Sequence, residues 1–233
     1  VTMPGLPTTA VLTELHAWLL EHHGDTVDAD RLPAIRAELE RIGADDVPGA
    51  VAELGCYQGA MALWMRAVLD ATGQQQRPIH VYDSFEGLPQ RGEKDPKLFE
   101  PGFLRAEPEQ VLALHDRWGR TPPVIHRGWF ADTLPEQLPD QIAFAYLDGD
   151  YYDSIRTCLA GCVPRMAPGG ALVVDDYADL QANPKAWNGL PGVKAACEDH
   201  FGTPSPLEVL AGTDDLAFGR YTAPALPSRR AGR

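Results

Sequence analysis

Four aspartates carry the strongest chemical signal in the chain: Asp148 and Asp150 in Asp148-Gly149-Asp150, and the adjacent pair Asp175-Asp176. Each group follows a short apolar run, Ile142–Leu147 and Ala171–Val174, that reads as a buried strand. Neighbouring parallel strands would deliver these acids to one carboxyl edge, where open α/β sheets bind ligands. Two carboxylates about 4 Å apart repel by on the order of 4 kcal/mol at an effective dielectric of 20, so their convergence requires a cation. Oxygen donors without Cys or His favour Mg²⁺, Ca²⁺ or Mn²⁺ over zinc. Successive strand residues face opposite sides, so Asp175 and Asp176 can reach one ion only if the strand breaks at this point. The alternative is a solvated acid pair, with Asp150 or Asp153 capping a helix.

A second constellation is Glu53-Leu54-Gly55-Cys56-Tyr57-Gln58-Gly59, between an apolar run and a helical stretch. Gly55 and Gly59 let the backbone turn sharply and approach a ligand ahead of a helix N-terminus. The spacing is GxxxG where a dinucleotide fingerprint needs GxGxxG. It therefore suits a nucleoside cofactor without a pyrophosphate, or simply a βα turn. Asp83 closes the next run, where a carboxylate accepts from ribose hydroxyls or caps a turn. After the third run comes Gly128-Trp129-Phe130-Ala131-Asp132-Thr133-Leu134-Pro135-Glu136. Thr133 and Glu136 have capping-box spacing and Pro135 suits a first turn, which predicts a helix over Thr133–Leu138. Trp129 and Phe130 either wall an adenine or belong to the core.

These groups need a frame. Strands are expected at Ala50–Leu54, Ile79–Tyr82, Val124–Ile125, Ile142–Leu147 and Ala171–Val174, alternating with helices at Ala60–Ala71, Pro108–Trp118, Thr133–Leu138 and Ser154–Met166. That alternation predicts an α/β fold with a parallel sheet and helices on both faces. Leu207–Leu210 and Leu216–Tyr221 flank Gly212-Thr213-Asp214-Asp215 as an antiparallel hairpin. Upstream, Val11, Leu12, Leu15, Trp18 and Leu19 form one helical stripe, and Leu32, Ile35, Leu39 and Ile42, ended by Gly43, form another. The expected organisation is a helical annex over 1–47, the α/β domain over 48–222 and a flexible tail over 223–233. Glu86–Arg105 and Tyr177–Pro191 are long Gly/Pro-containing loops, expected to cover the ligand edge.

The 233 residues carry 20 Lys plus Arg against 33 Asp plus Glu, a formal charge of −13. That balance argues against nucleic acid or an anionic membrane as partner and leaves metal ions and small molecules. No window approaches the roughly 20 apolar residues of a membrane span, and no secretory leader is apparent. Cys158 and Cys162 lie one helical turn apart, about 5–6 Å between Cβ atoms, too far for a disulfide that needs roughly 3.8 Å. They read as reduced core thiols of a cytoplasmic protein.

Taken in order, several motifs resemble the macrocin O-methyltransferase family, the metal-dependent sugar O-methyltransferases of antibiotic biosynthesis, including relatives from the mycinamicin and novobiocin pathways. They are Glu53-x-Gly55-x-x-x-Gly59, Tyr82-Asp83-Ser84-Phe85-Glu86-Gly87-Leu88-Pro89, Gly128-Trp129-Phe130-x-Asp132-Thr133-Leu134-Pro135, Asp148-Gly149-Asp150-x-Tyr152-x-Ser154, Pro168-Gly169-Gly170 and Asp175-Asp176-Tyr177. Pro191-Gly192-Val193-Lys194-x-Ala196 and Phe201 also fit. The resemblance covers Gly49 to Phe201. It departs at Tyr57-Gln58-Gly59-Ala60, where relatives often carry Trp-Arg-Gly-Gly.

The resemblance implies a seven-stranded, Rossmann-like methyltransferase fold whose last strand enters antiparallel. It implies S-adenosylmethionine held at Glu53, Gly55, Gly59, Asp83, Ser84, Gly128, Trp129 and Asp148. Mg²⁺ (or Ca²⁺ or Mn²⁺) would sit at Asp148, Asp175 and Asp176, with Asp150 as general base. The implied acceptor is a small-molecule glycoside or sugar, and the implied assembly a homo-oligomer such as a dimer. Two rival readings are a catechol-type O-methyltransferase acting on an aromatic diol and a non-catalytic nucleoside-binding protein.

Overall fold

The computed structural model describes residues 8–134 and 136–225. Pro135 and most of the expected tail lie outside them. Seven strands form one sheet in the order β3-β2-β1-β4-β5-β7-β6. They are β1 (Ala50–Leu54), β2 (Ile79–Asp83), β3 (Val124–Arg127), β4 (Ile142–Leu147), β5 (Met166–Val174), β6 (Glu208–Leu210) and β7 (Phe218–Thr222). The first five pair in parallel, while β7 runs antiparallel to both β5 and β6. Every residue of the central strands β1 and β4 is buried, as a parallel sheet covered on both faces requires.

Among the described residues, seven helices cover the sheet: α1 (Thr8–His23), α2 (Arg31–Ala44), α3 (Ala60–Ala71), α4 (Pro108–Arg117), α5 (Phe130–Thr133), α6 (Tyr152–Cys162) and α7 (Pro191–Phe201). Leu12, Leu15 and Leu19 of α1 and Leu32, Ile35, Leu39 and Ile42 of α2 are buried in one core cluster with α3 and one sheet face. Trp64 of α3 ties this layer further, its Nε1 donating to the Leu32 carbonyl at 2.8 Å. Ile155, Cys158, Leu159 and Cys162 of α6 and Val193, Ala196 and Cys197 of α7 fill the second cluster on the other face. All four cysteines are free and buried. Among the described residues no helix is long and apolar enough to cross a membrane.

Three expectations are corrected. The helix expected from Thr133 lies one turn earlier, and Thr133 ends it, its Oγ1 donating back to the Trp129 carbonyl at 3.1 Å. Leu134 is extended (φ −96°, ψ 141°) because a residue before proline is driven out of the α region. Helix α6 stops at Cys162 and passes into a short 3₁₀ turn, Val163–Arg165, since Pro164 has no N–H for the helical ladder. The chain then enters β5 at Met166, five residues before the expected start, with Met166 pairing Ile142.

Candidate active site

The carboxyl ends of β1, β2 and β4 and the turns that follow them build a cavity of about 290 Å³. Gly55 makes the first turn possible: its φ is +93°, and a Cβ there would collide with the Asp148 carbonyl oxygen. The three strand ends are tied together by Gly55 N–H to Tyr82 O and Asp148 N–H to Leu54 O, both 2.8 Å. Gly59, φ +83°, caps α3, where a side chain would press on Val111. Asp83 organises the turn. One carboxylate oxygen accepts the Cys56 and Tyr57 N–H groups at 2.9 Å each, and the other accepts Phe85 N–H at 2.7 Å.

Glu53 points from β1 into the same cavity and is 1% exposed. Its Oε2 has no hydrogen-bond partner. Burial first, and the nearby Asp83 charge second, push its carboxyl well above the usual range. An orphaned buried carboxyl aimed into a cavity fits a ligand that brings a donor or a positive charge. Ser84, Trp129 and Asp148 also line this cavity, whereas Gly59 and Gly128 do not. Phe130, read in the sequence as an adenine wall or a core residue, lines it as well, and so do Tyr57, Gln58 and Ser154, which were not singled out as cofactor contacts.

A second cavity, about 690 Å³, opens beside the first and shares Tyr57, Gln58, Asp148 and Asp150 with it. Both long loops wall it: Phe99 and Phe103 from one, Trp187 and Leu190 from the other. The two phenyl rings stack, 4.7 Å between centroids and 3° from parallel. At its floor, one carboxylate oxygen each from Asp148, Asp150 and Asp176 lie within 4.8 Å of one another. Strand β5 ends at Val174, so the break needed for the acids to converge is present. Asp150 and Asp176 both adopt left-handed backbone, φ 58° in each case, as do Tyr57 and Leu104 at the cavity walls.

Asp175, expected among the metal ligands, is placed differently. Its two oxygens accept the Arg31 Nε and Nη2 at 3.0 and 3.1 Å, the buried Tyr146 hydroxyl and the Asp176 N–H. Nothing in the sequence pattern singled out Arg31 or Tyr146.

Burial, followed by the neighbouring acids, raises the pKa of Asp148 and Asp176 well above the carboxylate range. Asp150 is pushed up to about 7 by burial, then by Asp175 and Asp83. One guanidinium, Arg31, faces these four acids, Asp175 included, and is also paired with Asp28. The set is therefore short of positive charge, and its hard oxygen donors fit a dication such as Mg²⁺ or Ca²⁺.

The sheet order with an antiparallel β7 between β5 and β6, and a cavity at a βα turn lacking a pyrophosphate cradle, are those of a Rossmann-like methyltransferase fold. Residues 23–194 match the family model of macrocin-O-methyltransferase (TylF). The chain is 34% identical over 209 residues to 8-demethyl-8-(2,3-dimethoxy-alpha-L-rhamnosyl)-tetracenomycin-C 4'-O-methyltransferase of Streptomyces olivaceus, covering 84% of this chain and 75% of that protein. It is 34% identical over 160 residues to demethyldecarbamoylnovobiocin O-methyltransferase of Streptomyces niveus, across 63% of this chain and 60% of the relative. The chain belongs to the macrocin-O-methyltransferase family.

Among solved structures, the O-methyltransferase NovP superposes with a TM-score of 0.72 over 93% of this chain and 98% of its own, at 23% identity. The calicheamicin methyltransferase CalS11 gives 0.66 over 92% and 91%, at 21% identity. Both share the fold.

Proposed function

We propose that the protein methylates a hydroxyl of a sugar moiety on a natural product or its precursor, using S-adenosylmethionine and a divalent cation, with Mg²⁺ the first candidate. The observation that carries this reading is the meeting of two cavities at Asp148 and Asp150. One cavity is sized and lined for a nucleoside donor, and the other ends on a cluster of carboxylates. S-adenosylmethionine supplies a methyl group on a sulfonium centre. A divalent cation supplies positive charge that makes a nearby hydroxyl more acidic.

The chain's own residues do the rest. Glu53 offers its unpartnered oxygen to the donor's charged end. A carboxylate has about four lone-pair sites. Asp83 has three bonds to backbone amides, which leaves capacity for one ribose hydroxyl. Trp129 and Phe130 wall the ring system. Asp148 and Asp176 would hold the cation, with Asp175 supporting Asp176 from behind. Asp150, beside these ligands, accepts the acceptor's proton as the acceptor oxygen bonds to the methyl carbon and the methyl–sulfur bond breaks. Positioning both reactants at one junction lowers the barrier through orientation alone.

Two features favour a glycoside over the catechol alternative and over a nucleoside-diphosphate sugar. The cavity of about 690 Å³ is sized for a drug-like molecule, not a single ring. Among the described residues, Arg31 is the only permanent cation lining it, and Asp28 and Asp175 already engage that group, while Asp25 and Asp215 add negative charge. A diphosphate would meet acids where it needs cations. The test is methyl transfer to glycosides and to simple catechols, with and without EDTA. Turnover on glycosides, lost in EDTA and restored by Mg²⁺, is expected. Full activity in EDTA would refute the cation's role, and preference for catechols would refute the acceptor class.

A further inference from the structure

Arg31 opens α2, and the aspartate it grips lies 144 positions further along the chain. Its Nε and Nη2 make a bidentate pair with the two oxygens of Asp175. Its Nη1 is paired with Asp28, whose carboxylate also accepts the Asp30 and Arg31 backbone N–H groups at 2.8 and 2.7 Å. The Phe218 ring of β7 lies 5.9 Å from the guanidinium carbon. Held this way on every edge, the guanidinium has one orientation, and a planar fork of fixed geometry transmits that orientation to its carboxylate partner.

Asp175 passes the constraint on. The oxygen gripped by Nη2 also accepts the Asp176 N–H at 2.8 Å, and Asp176 sits in the left-handed region at φ 58°. That region is unfavourable for a side chain larger than glycine and persists only where the surroundings over-determine it. The turn matters because a strand continued through Asp176 would send the two side chains to opposite faces. With the turn, the Asp176 carboxylate joins Asp148 and Asp150.

We propose that Arg31 is a positioning residue for the carboxylate site: through Asp175 it holds Asp176 in the conformation that completes the set with Asp148 and Asp150. The proposal rests on the reading of Asp148 and Asp176 as ligands of a divalent cation, with Asp150 beside them as base. It has a sign that a purely electrostatic role lacks. Arg31 stands 3.5 Å from an Asp176 oxygen, so as a charge alone it repels an arriving dication, and deleting it would tighten cation binding. As a fork that orients the acids, its deletion loosens binding. Its second partner, Asp28, lies in the cavity wall, so the same residue ties the segment before α2 to the carboxylates.

The experiment is calorimetric titration of Mg²⁺ and of Ca²⁺ into the metal-free full chain, wild type, Arg31→Lys and Arg31→Met. The affinity of each protein for S-adenosylhomocysteine serves as the control for folding. Both variants should bind the cation at least fivefold more weakly than wild type, with S-adenosylhomocysteine affinity within twofold. Turnover by Arg31→Lys should recover as Mg²⁺ is raised, which a general structural defect would not allow. Tighter cation binding by Arg31→Met, with Arg31→Lys near wild type, would overturn the proposal in favour of a plain counter-charge. Should Arg31→Met fail to fold, Arg31→Lys decides alone, since it keeps the charge and loses the fork: unchanged affinity overturns the proposal. Loss of S-adenosylhomocysteine binding in both variants also overturns it. Failure of the wild type to bind either cation would overturn the cation reading itself, and this proposal with it.

Discussion

The two halves of the proposed site, one read as the methyl donor's and one as the acceptor's, are built from different materials. On the donor side the shape is set by backbone: Gly55 and Gly59 turn the chain, and Asp83 gathers amides from residues 56, 57 and 85. On the acceptor side it is set by side chains brought together from far apart, with Arg31, Tyr146 and Asp175 meeting behind Asp148, Asp150 and Asp176. A backbone-built half is local in sequence and tolerates few residue types. A side-chain-built half depends on which distant groups find each other, and its charges can be exchanged without disturbing the turn.

Substitutions should separate the halves. Asp150→Asn is expected to have the largest effect, lowering kcat by roughly 10²–10⁴-fold, with S-adenosylmethionine affinity unchanged in equilibrium titration. A near-normal rate would remove the base role and leave the cation reading intact. Gly55→Ala should damage the donor half as a structure, since the new Cβ meets the Asp148 carbonyl. A stability loss of about 3 kcal/mol in denaturant titration is expected. A silent substitution would mean that the turn is not held by this close approach. Asp83→Ala should weaken S-adenosylmethionine by about 1.5–3 kcal/mol, through loss of charge-assisted bonds. Cation affinity measured alongside should not move, and a shift there would break the division into halves. Phe103→Ala, at a 48% exposed ring stacked on Phe99, should have the smallest effect. KM for the acceptor should rise about fivefold, the worth of roughly 1 kcal/mol of aromatic contact, without change in kcat.

How much the sequence revealed follows the same division. Strands β1 and β4 coincide with their expected bounds because runs buried on both faces are apolar throughout, Glu53 excepted. At the sheet edge β3 extends to Arg127, beyond the expected Val124–Ile125, because its half-exposed residues include His126 and Arg127 and carry no apolar signal. The helix expected at Thr133 was a case of two local rules in conflict: capping-box spacing pointed one way, and the restriction on the residue before Pro135 pointed the other and won. Among the candidate site residues, Asp-Gly-Asp and Asp-Asp at strand ends marked the sheet edge where Asp148, Asp150 and Asp176 converge. Which carboxylate turns inward was not legible. That depends on Arg31, whose partner is 144 positions away, and on a backbone region that no side-chain type at Asp176 announces.

The left-handed residues have a bearing on how this protein can be improved. Among the described residues, six non-glycine residues have positive φ, and four of them, Tyr57, Leu104, Asp150 and Asp176, border the cavities. Each sits roughly 1–2 kcal/mol above its relaxed conformation, a cost that glycine would not incur. A screen for heat resistance alone would reward glycine at these four positions, and would dismantle the junction of the two cavities while doing so. Thermostabilising substitutions are better sought away from this edge, where robustness and turnover do not compete for the same residues.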